Sequence, residues 1–128
     1  MDSDVAVRFV QSIVDHDRAG MLALLGPDVD FRGMTPGRTW EAGSPEEVVG
    51  VFLDHWFEDS DHVDAVTRLE RGDDVVDLRH LSYRCEVTNS RGPHTVEQQA
   101  YYRTSDGRLS YLRVMCSGFR PRTAGAAG

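Results

Sequence analysis

Residues 95–117 read TVEQQAYYRTSDGRLSYLRVMCS, two alternating runs joined through Asp106-Gly107. An Asp-Gly pair between alternating runs is a strong short-range hairpin signal, because a two-residue turn of the favoured hand needs positive φ at both positions. Strands are therefore expected over Thr95–Thr104 and Arg108–Ser117. On the second, Leu112, Val114 and Cys116 are uniformly apolar, whereas the odd set includes Tyr111 and Arg113. The even positions should face a core.

Upstream, the period of two continues. Val75–Val87 reads as a long strand, closed by the turn Asn89-Ser90-Arg91-Gly92-Pro93, and Val63–Arg71 reads as another, turned by Gly72-Asp73-Asp74. Before residue 60 the period changes to about 3.6. Ser44-Pro45-Glu46-Glu47 has Ser at the cap, Pro at the first helical position and Glu three residues after the cap, which is a capping box. The helix it opens buries Val48, Val49, Phe52, Leu53 and Trp56, and stops near Phe57, where Glu58 and Asp59 oppose the helix dipole. Residues 3–16 form an amphipathic helix capped by Ser3, with Ala6, Phe9, Val10, Ile13 and Val14 on one face. A second short helix follows Asp17 and is stopped by Gly26-Pro27. Val29–Arg32 alternates like a short strand, and Met34-Thr35-Pro36-Gly37 is turn chemistry.

The bulk composition bounds the function classes. The 128 residues suffice for one domain with one core, 40% are hydrophobic and 27% charged, and the chain is expected to be a single domain over 1–122 with a disordered tail over 123–128. The formal charge of −7 argues against nucleic-acid partners, which need phosphates neutralised, and against anionic membrane surfaces. No apolar run is long enough to span a bilayer, the N-terminus carries acids where a signal peptide carries bases, and a cytoplasmic setting follows as the expectation. Cys85 and Cys116 are too few for a disulfide framework and are expected as free thiols. All 14 basic residues counted as Lys or Arg are Arg, which removes lysine Schiff-base chemistry and the Walker-type phosphate loop. No cofactor and no metal are expected.

Two helices, a short strand, a third helix and a four-strand meander bury their faces most economically as a curled antiparallel sheet with helices on one side, an α+β fold. This layout, the Asp106-Gly107-Arg108 hairpin and the closing strand Arg108-Leu-Ser-Tyr-Leu-Arg-Val-Met resemble the NTF2-like (SnoaL-like) superfamily over roughly residues 4–120. The resemblance implies a cone-shaped fold, the sheet wrapped around about three N-terminal helices, with a small-molecule pocket between them. It does not imply one activity, since the superfamily holds isomerases, cyclases, hydrolases and non-catalytic binders. Where steroid isomerases of this superfamily carry a tyrosine and two acids, the corresponding positions here hold Phe9, Gly33 and Gln99, so that chemistry is not carried over. The acid that epoxide hydrolases of the fold place on the closing strand is likewise absent at Val114 and Cys116, which leaves Asp77 and Arg79 as a structural ion pair.

Hairpin arithmetic gives a sharper expectation. With Asp106-Gly107 as a two-residue loop, Glu97, Gln99 and Tyr101 lie opposite Cys116, Val114 and Leu112. With Asn89–Pro93 as a five-residue loop, Cys85, Tyr83 and Leu81 complete the same inward rows. Glu97 is then a desolvated carboxyl with a raised pKa, a candidate general acid or base, and Tyr83 and Gln99 are candidate donors to a carbonyl or enolate oxygen. The competing reading turns Glu97 outward or pairs it with Arg103 or Arg79, and lets Tyr and Gln satisfy each other. Phe9, Trp40, Trp56, Leu81, Cys85, Tyr101, Leu112, Val114 and Cys116 complete the expected pocket lining, with loop 33–43 at its mouth and Arg38 there to meet an anionic ligand.

Three further expectations follow. His55, Asp59, Asp61, His62 and Asp64 could hold a divalent ion, but without tight ligand spacing they read as a solvated loop. The ligand is expected to be a small apolar or carbonyl-containing compound, acted on by a cyclase, isomerase or lyase or simply bound. A homodimer is expected through the outer sheet face, with Tyr102, Tyr111 and Met115.

Overall fold

The structure is a computed structural model that describes residues 4–122. Ser3 and the tail over 123–128 lie outside the described residues. The first helix, α1, spans Val5–Asp15 and is capped by Asp4, whose carboxylate accepts the Ala6 N–H at 2.7 Å. Its buried face is Val5, Ala6, Phe9, Val10 and Ile13, and it ends at His16 in the left-handed region. Helix α2, Arg18–Ala23, is capped by Asp17, which accepts from Gly20 N–H at 2.9 Å.

The segment 33–43 is not a loop. Strands β1 (Leu25–Thr35) and β2 (Arg38–Ala42) pair as a hairpin turned by Pro36-Gly37. Trp40 belongs to β2, opposite Gly33, and its indole N–H donates to Thr35 Oγ1 at 2.9 Å. The run is too short and too rich in glycine for its alternation to stand out, and ladder pairing supplies the missing signal.

Ser44 caps α3 (Pro45–Val49) by accepting from Glu47 N–H at 3.2 Å, and Glu47 Oε1 accepts from Gly43 N–H at 2.9 Å. From Gly50 to Trp56 the helix widens to a π-helix, closed by Phe57 N–H donating to Phe52 C=O at 2.7 Å. The extra residue per turn rotates the side chains that follow, and Val51, Phe52, Leu53 and Trp56 all remain buried.

The remaining strands are β3 (His62–Arg71), β4 (Arg79–Asn89), β5 (Gly92–Ser105), β6 (Arg108–Cys116) and the short β7 (Arg120–Pro121). The curved, unclosed sheet has the order β2-β1-β6-β5-β4-β3, with β7 on β5. Its pairs are antiparallel except β1 with β6, which run parallel. The helices cover one face, where Phe9 meets Phe52 at 4.9 Å between ring centroids and Phe52 meets Phe31 at 5.6 Å. Among the described residues no helix is long and apolar enough to cross a membrane.

Two local features shift the register of β5 by one residue. The β4–β5 connection is the two-residue turn Ser90-Arg91, with Asn89 opposite Gly92, not a five-residue loop. In the last hairpin Ser105 does pair with Arg108, but a bulge at Ser110 moves every later partner, so that Arg103 faces Tyr111 and Gln98 faces Cys116. Because side chains alternate with period two, each slip exchanges the faces of β5. The inward faces of β4 and β6 are as expected, whereas that of β5 is Val96, Gln98, Ala100 and Tyr102.

Candidate functional site

Tyr83, Gln98 and Cys116 are successive cross-strand partners on β4, β5 and β6, and they form a polar row on the inner sheet face. The Tyr83 hydroxyl donates to Gln98 Oε1. Gln98 is 1% exposed, and its Nε2 has no hydrogen-bond partner. Burial pushes the Tyr83 hydroxyl well above its ordinary pKa, reinforced by the Cys85 and Cys116 thiols nearby. Burial, with the charge of Glu86 and the Cys116 thiol, pushes Cys85 up to about 11. Cys116 is raised by burial too, partly offset by Gln98 and by the Gly118 N–H. At neutral pH the hydroxyl and both thiols therefore stay protonated. The row donates hydrogen bonds and supplies neither a base nor a thiolate nucleophile.

The interior in front of this row is nearly full. The cavity bounded by Phe9, Leu81, Tyr83, Ala100, Leu112 and Val114 has a volume of about 10 Å³, room for one water at most. Trp56 occupies the space over Gly33, where an added Cβ would stand 2.6 Å from its Cη2. The indole packs against Phe52 at 4.7 Å and against Phe31 and Trp40 at 6.0 Å, and its Nε1 is buried without a partner. Trp56 also lines an open groove of about 500 Å³, together with His55, Asn89, Arg91, His94 and Phe119. One side chain thus belongs both to the core and to the wall of a solvent-accessible depression.

The expected inward residues divide by strand. Phe9, Trp56, Leu81, Tyr83, Cys85, Leu112 and Val114 are buried in the core, and Cys116 and Trp40 are half-buried against it. The β5 set is inverted. Glu97 faces outward, where Arg84 Nη2 and Arg120 Nη2 reach its two oxygens at 2.8 and 2.6 Å. The Arg84 hydrogen bonds outweigh desolvation and, with Arg120, hold its carboxyl below the usual range, the reverse of the raised value expected for a general acid. Gln99 also faces outward and meets His80 Nε2 at 2.6 Å, and Tyr101 stacks on the His80 ring at 4.5 Å. Neither reaches the interior. Tyr102, expected on the outer face, is fully buried, and its hydroxyl donates to Asp4 and accepts from Arg71 Nη1.

Gln98, not Gln99, is the inward amide of β5. The alternation within β5 itself marks it, since Val96, Ala100 and Tyr102 share its parity while Glu97, Gln99 and Arg103 share the other. Arg38 covers the Trp40 ring at 3.6 Å. Asp77 pairs with Arg103 at 3.1 Å, not with Arg79. His16 and Asp59, and His62 and Asp64, approach at 3.5 and 3.6 Å, and no group of three metal-capable side chains exists among the described residues.

No protein-family model and no curated protein matches the chain. Solved structures do. A protein of Catenulispora acidiphila with a ketosteroid isomerase-like fold, in complex with trimethylamine, is 15% identical with a TM-score of 0.66, covering 91% of this chain and 88% of its own. An epoxide hydrolase-like protein of Mycobacterium tuberculosis is 12% identical with a TM-score of 0.64, covering 88% of this chain and 80% of its own. A protein of Mesorhizobium loti described as a SnoaL-like polyketide cyclase is 17% identical with a TM-score of 0.57, covering 86% and 94%. At such identities the likeness is one of fold, and the fold is NTF2-like.

Proposed function

We propose that this chain binds a small carbonyl-containing ligand on its inner sheet face, through a hydrogen bond donated by Gln98 Nε2, whose Oε1 is held by the Tyr83 hydroxyl. The observation that carries the reading is the buried Gln98 Nε2 donor, which has no oxygen or nitrogen acceptor and only the weakly accepting Cys116 sulfur beside it. A buried donor left unpaired costs roughly 1–3 kcal/mol, and a ligand oxygen would recover that cost. The names of similarly folded proteins, an epoxide hydrolase-like protein and a SnoaL-like cyclase among them, agree with a pocket for small organic compounds. No carboxylate lines the interior cavity among the described residues, which favours binding over acid–base turnover. The second reading, a cyclase, isomerase or lyase, needs the Tyr83 hydroxyl to turn from Gln98 Oε1 to the ligand, so that both residues polarise a carbonyl as an oxyanion site does.

A ligand larger than water needs more space than the interior cavity of about 10 Å³ gives, and on this reading it enters from the open groove, whose wall includes the core residue Trp56. The same proposal includes self-association through the outer sheet face, where Met34 and Met115 lie side by side.

The test is calorimetric titration and thermal-shift measurement with cyclic and aromatic ketones against their hydrocarbon counterparts. Ketones should raise the melting temperature by mass action and the hydrocarbons should not. Gln98→Met, which keeps the volume, should abolish the difference with the circular dichroism spectrum intact. Equal binding of ketone and hydrocarbon, or undiminished ketone binding by the variant, would refute the reading. Product formation from a bound ketone would favour the catalytic alternative.

A further inference from the structure

The end of the inner face away from the open groove carries a second cluster that the proposed ligand row does not use. Tyr102, Arg79 and Arg71 share the inward side of β5, β4 and β3. Arg79 is the cross-strand partner of Tyr102, and Arg71 is the partner of the buried Leu81, and partners project to one face. The start of α1 lies over them and adds Asp4 and Arg8. Together with Thr104 these residues line a depression of about 440 Å³.

Its charges do not cancel. Arg71 is committed, since Nη2 pairs with Asp4 and Nη1 donates to the Tyr102 hydroxyl at 2.9 Å. The Tyr102 hydroxyl in turn donates to Asp4 Oδ2 at 2.9 Å. Asp4 is thereby matched by Arg71, and it is the only carboxylate lining the depression among the described residues. Arg8 and Arg79 line the same depression and form no ion pair among the described residues. In a chain of formal charge −7, two guanidinium groups in one concavity without an ion-pair partner among the described residues run against the overall balance. The Asp4–Tyr102–Arg71 lock holds the floor, and the guanidinium forks of Arg8 and Arg79 supply planar, always-charged donors suited to an oxyanion.

We propose that this rim depression is a binding site for a small oxyanion, a phosphate or carboxylate group, held by Arg8 and Arg79 above the Asp4–Tyr102–Arg71 lock. The site is independent of the Gln98 row and needs no opening of the interior.

Inorganic phosphate and acetate, each titrated against sodium chloride at matched ionic strength, test it by thermal shift and by amide chemical-shift mapping on the full chain. Saturable stabilisation is expected from at least one of the two oxyanions, with shifts centred on Val5, Arg8, Arg79 and Thr104, and the stronger ligand identifies the head group. Arg8→Gln and Arg79→Gln should each weaken binding by about tenfold, the loss of one charge-assisted hydrogen bond. Arg32→Gln, exposed and outside the depression, should leave it unchanged. Effects of both oxyanions equal to that of chloride, or equal loss in all three variants, would overturn the proposal, because either would reduce the effect to general screening. Oxyanion binding lost in Gln98→Met but retained in both arginine variants would place the anion at the other row and would also overturn the proposal.

Discussion

Asp4 and Glu97 are the carboxylates whose chemistry the fold shifts downward. At Asp4 burial pushes the pKa up, but the Ala6 N–H, the Tyr102 hydroxyl and Arg71 together outweigh it and the net shift is down. At Glu97 the Arg84 hydrogen bonds dominate over desolvation, with Arg120 adding to them. A carboxyl whose folded pKa lies below its unfolded one contributes stability above the unfolded value, and that contribution is lost as pH falls through the folded value. Urea midpoints should therefore fall as pH is taken from neutral down through the carboxylate range. Glu97→Gln should lower neutral-pH stability by no more than about 1 kcal/mol, because its partners are on the surface. Asp4→Asn should cost more, since it frees the Arg71 charge and the Tyr102 hydroxyl at once. Both variants should show a shallower acid dependence than the parent, and an unchanged slope would contradict the assigned ion pairs. Glu97 also shows how much rests on parity. One residue of register separates a desolvated acid from a surface ion pair.

At the scale of elements, the π-helical turn and β1 are fitted to each other through Trp56 and Gly33. An added methyl at Gly33 meets both the Trp56 ring and, at 3.0 Å, Phe31 Cζ. Gly33→Ala should destabilise the protein by about 1–3 kcal/mol as an overpacked core does. In a Trp56→Phe background the same substitution should cost much less, a coupling measurable by denaturant unfolding of the four proteins in the cycle. Additive costs would mean that the indole is not what fills the space over Gly33. The capping box at Ser44, the Asp106-Gly107 turn and the helical faces were legible because each rests on residues close together in sequence. The β2 strand, the π-helical widening and the bulge at Ser110 were not. Each is set by what lies across the sheet or under the helix, and loop counting cannot detect a residue that a strand extrudes. The alternation within β5, with Val96, Ala100 and Tyr102 on the side of Gln98, was the better guide.

For the whole molecule, the outer sheet face poses the question of assembly. Met34 and Met115 are neighbours on β1 and β6 and remain 48% and 52% exposed, beside a groove of about 320 Å³ that also involves Trp40 and Tyr101. Tyr111 on the same face is covered by the guanidinium groups of Arg103 and Arg113 at 4.6 and 3.9 Å. Adaptable thioether side chains in an exposed patch suit a self-complementary contact. Sedimentation velocity should show a concentration-dependent monomer–dimer equilibrium that Met34→Glu with Met115→Glu shifts to monomer, and a lone monomer at every concentration would remove the interface. The amino-acid order alone determined the α+β class, the helices and the Ser44 cap, the strand-rich second half and the inward faces of β4 and β6, because propensity, capping and periodicity are local, whereas the first helix is capped by Asp4 and not by the expected Ser3. Only the tertiary structure decided that Gln98 and not Glu97 faces inward, that Trp56 packs over Gly33 while the interior closes to a water-sized void, and that Arg8 and Arg79 share one rim. Those outcomes depend on register and packing between residues distant in the chain, where a shift of one position exchanges the inside of a strand for its outside.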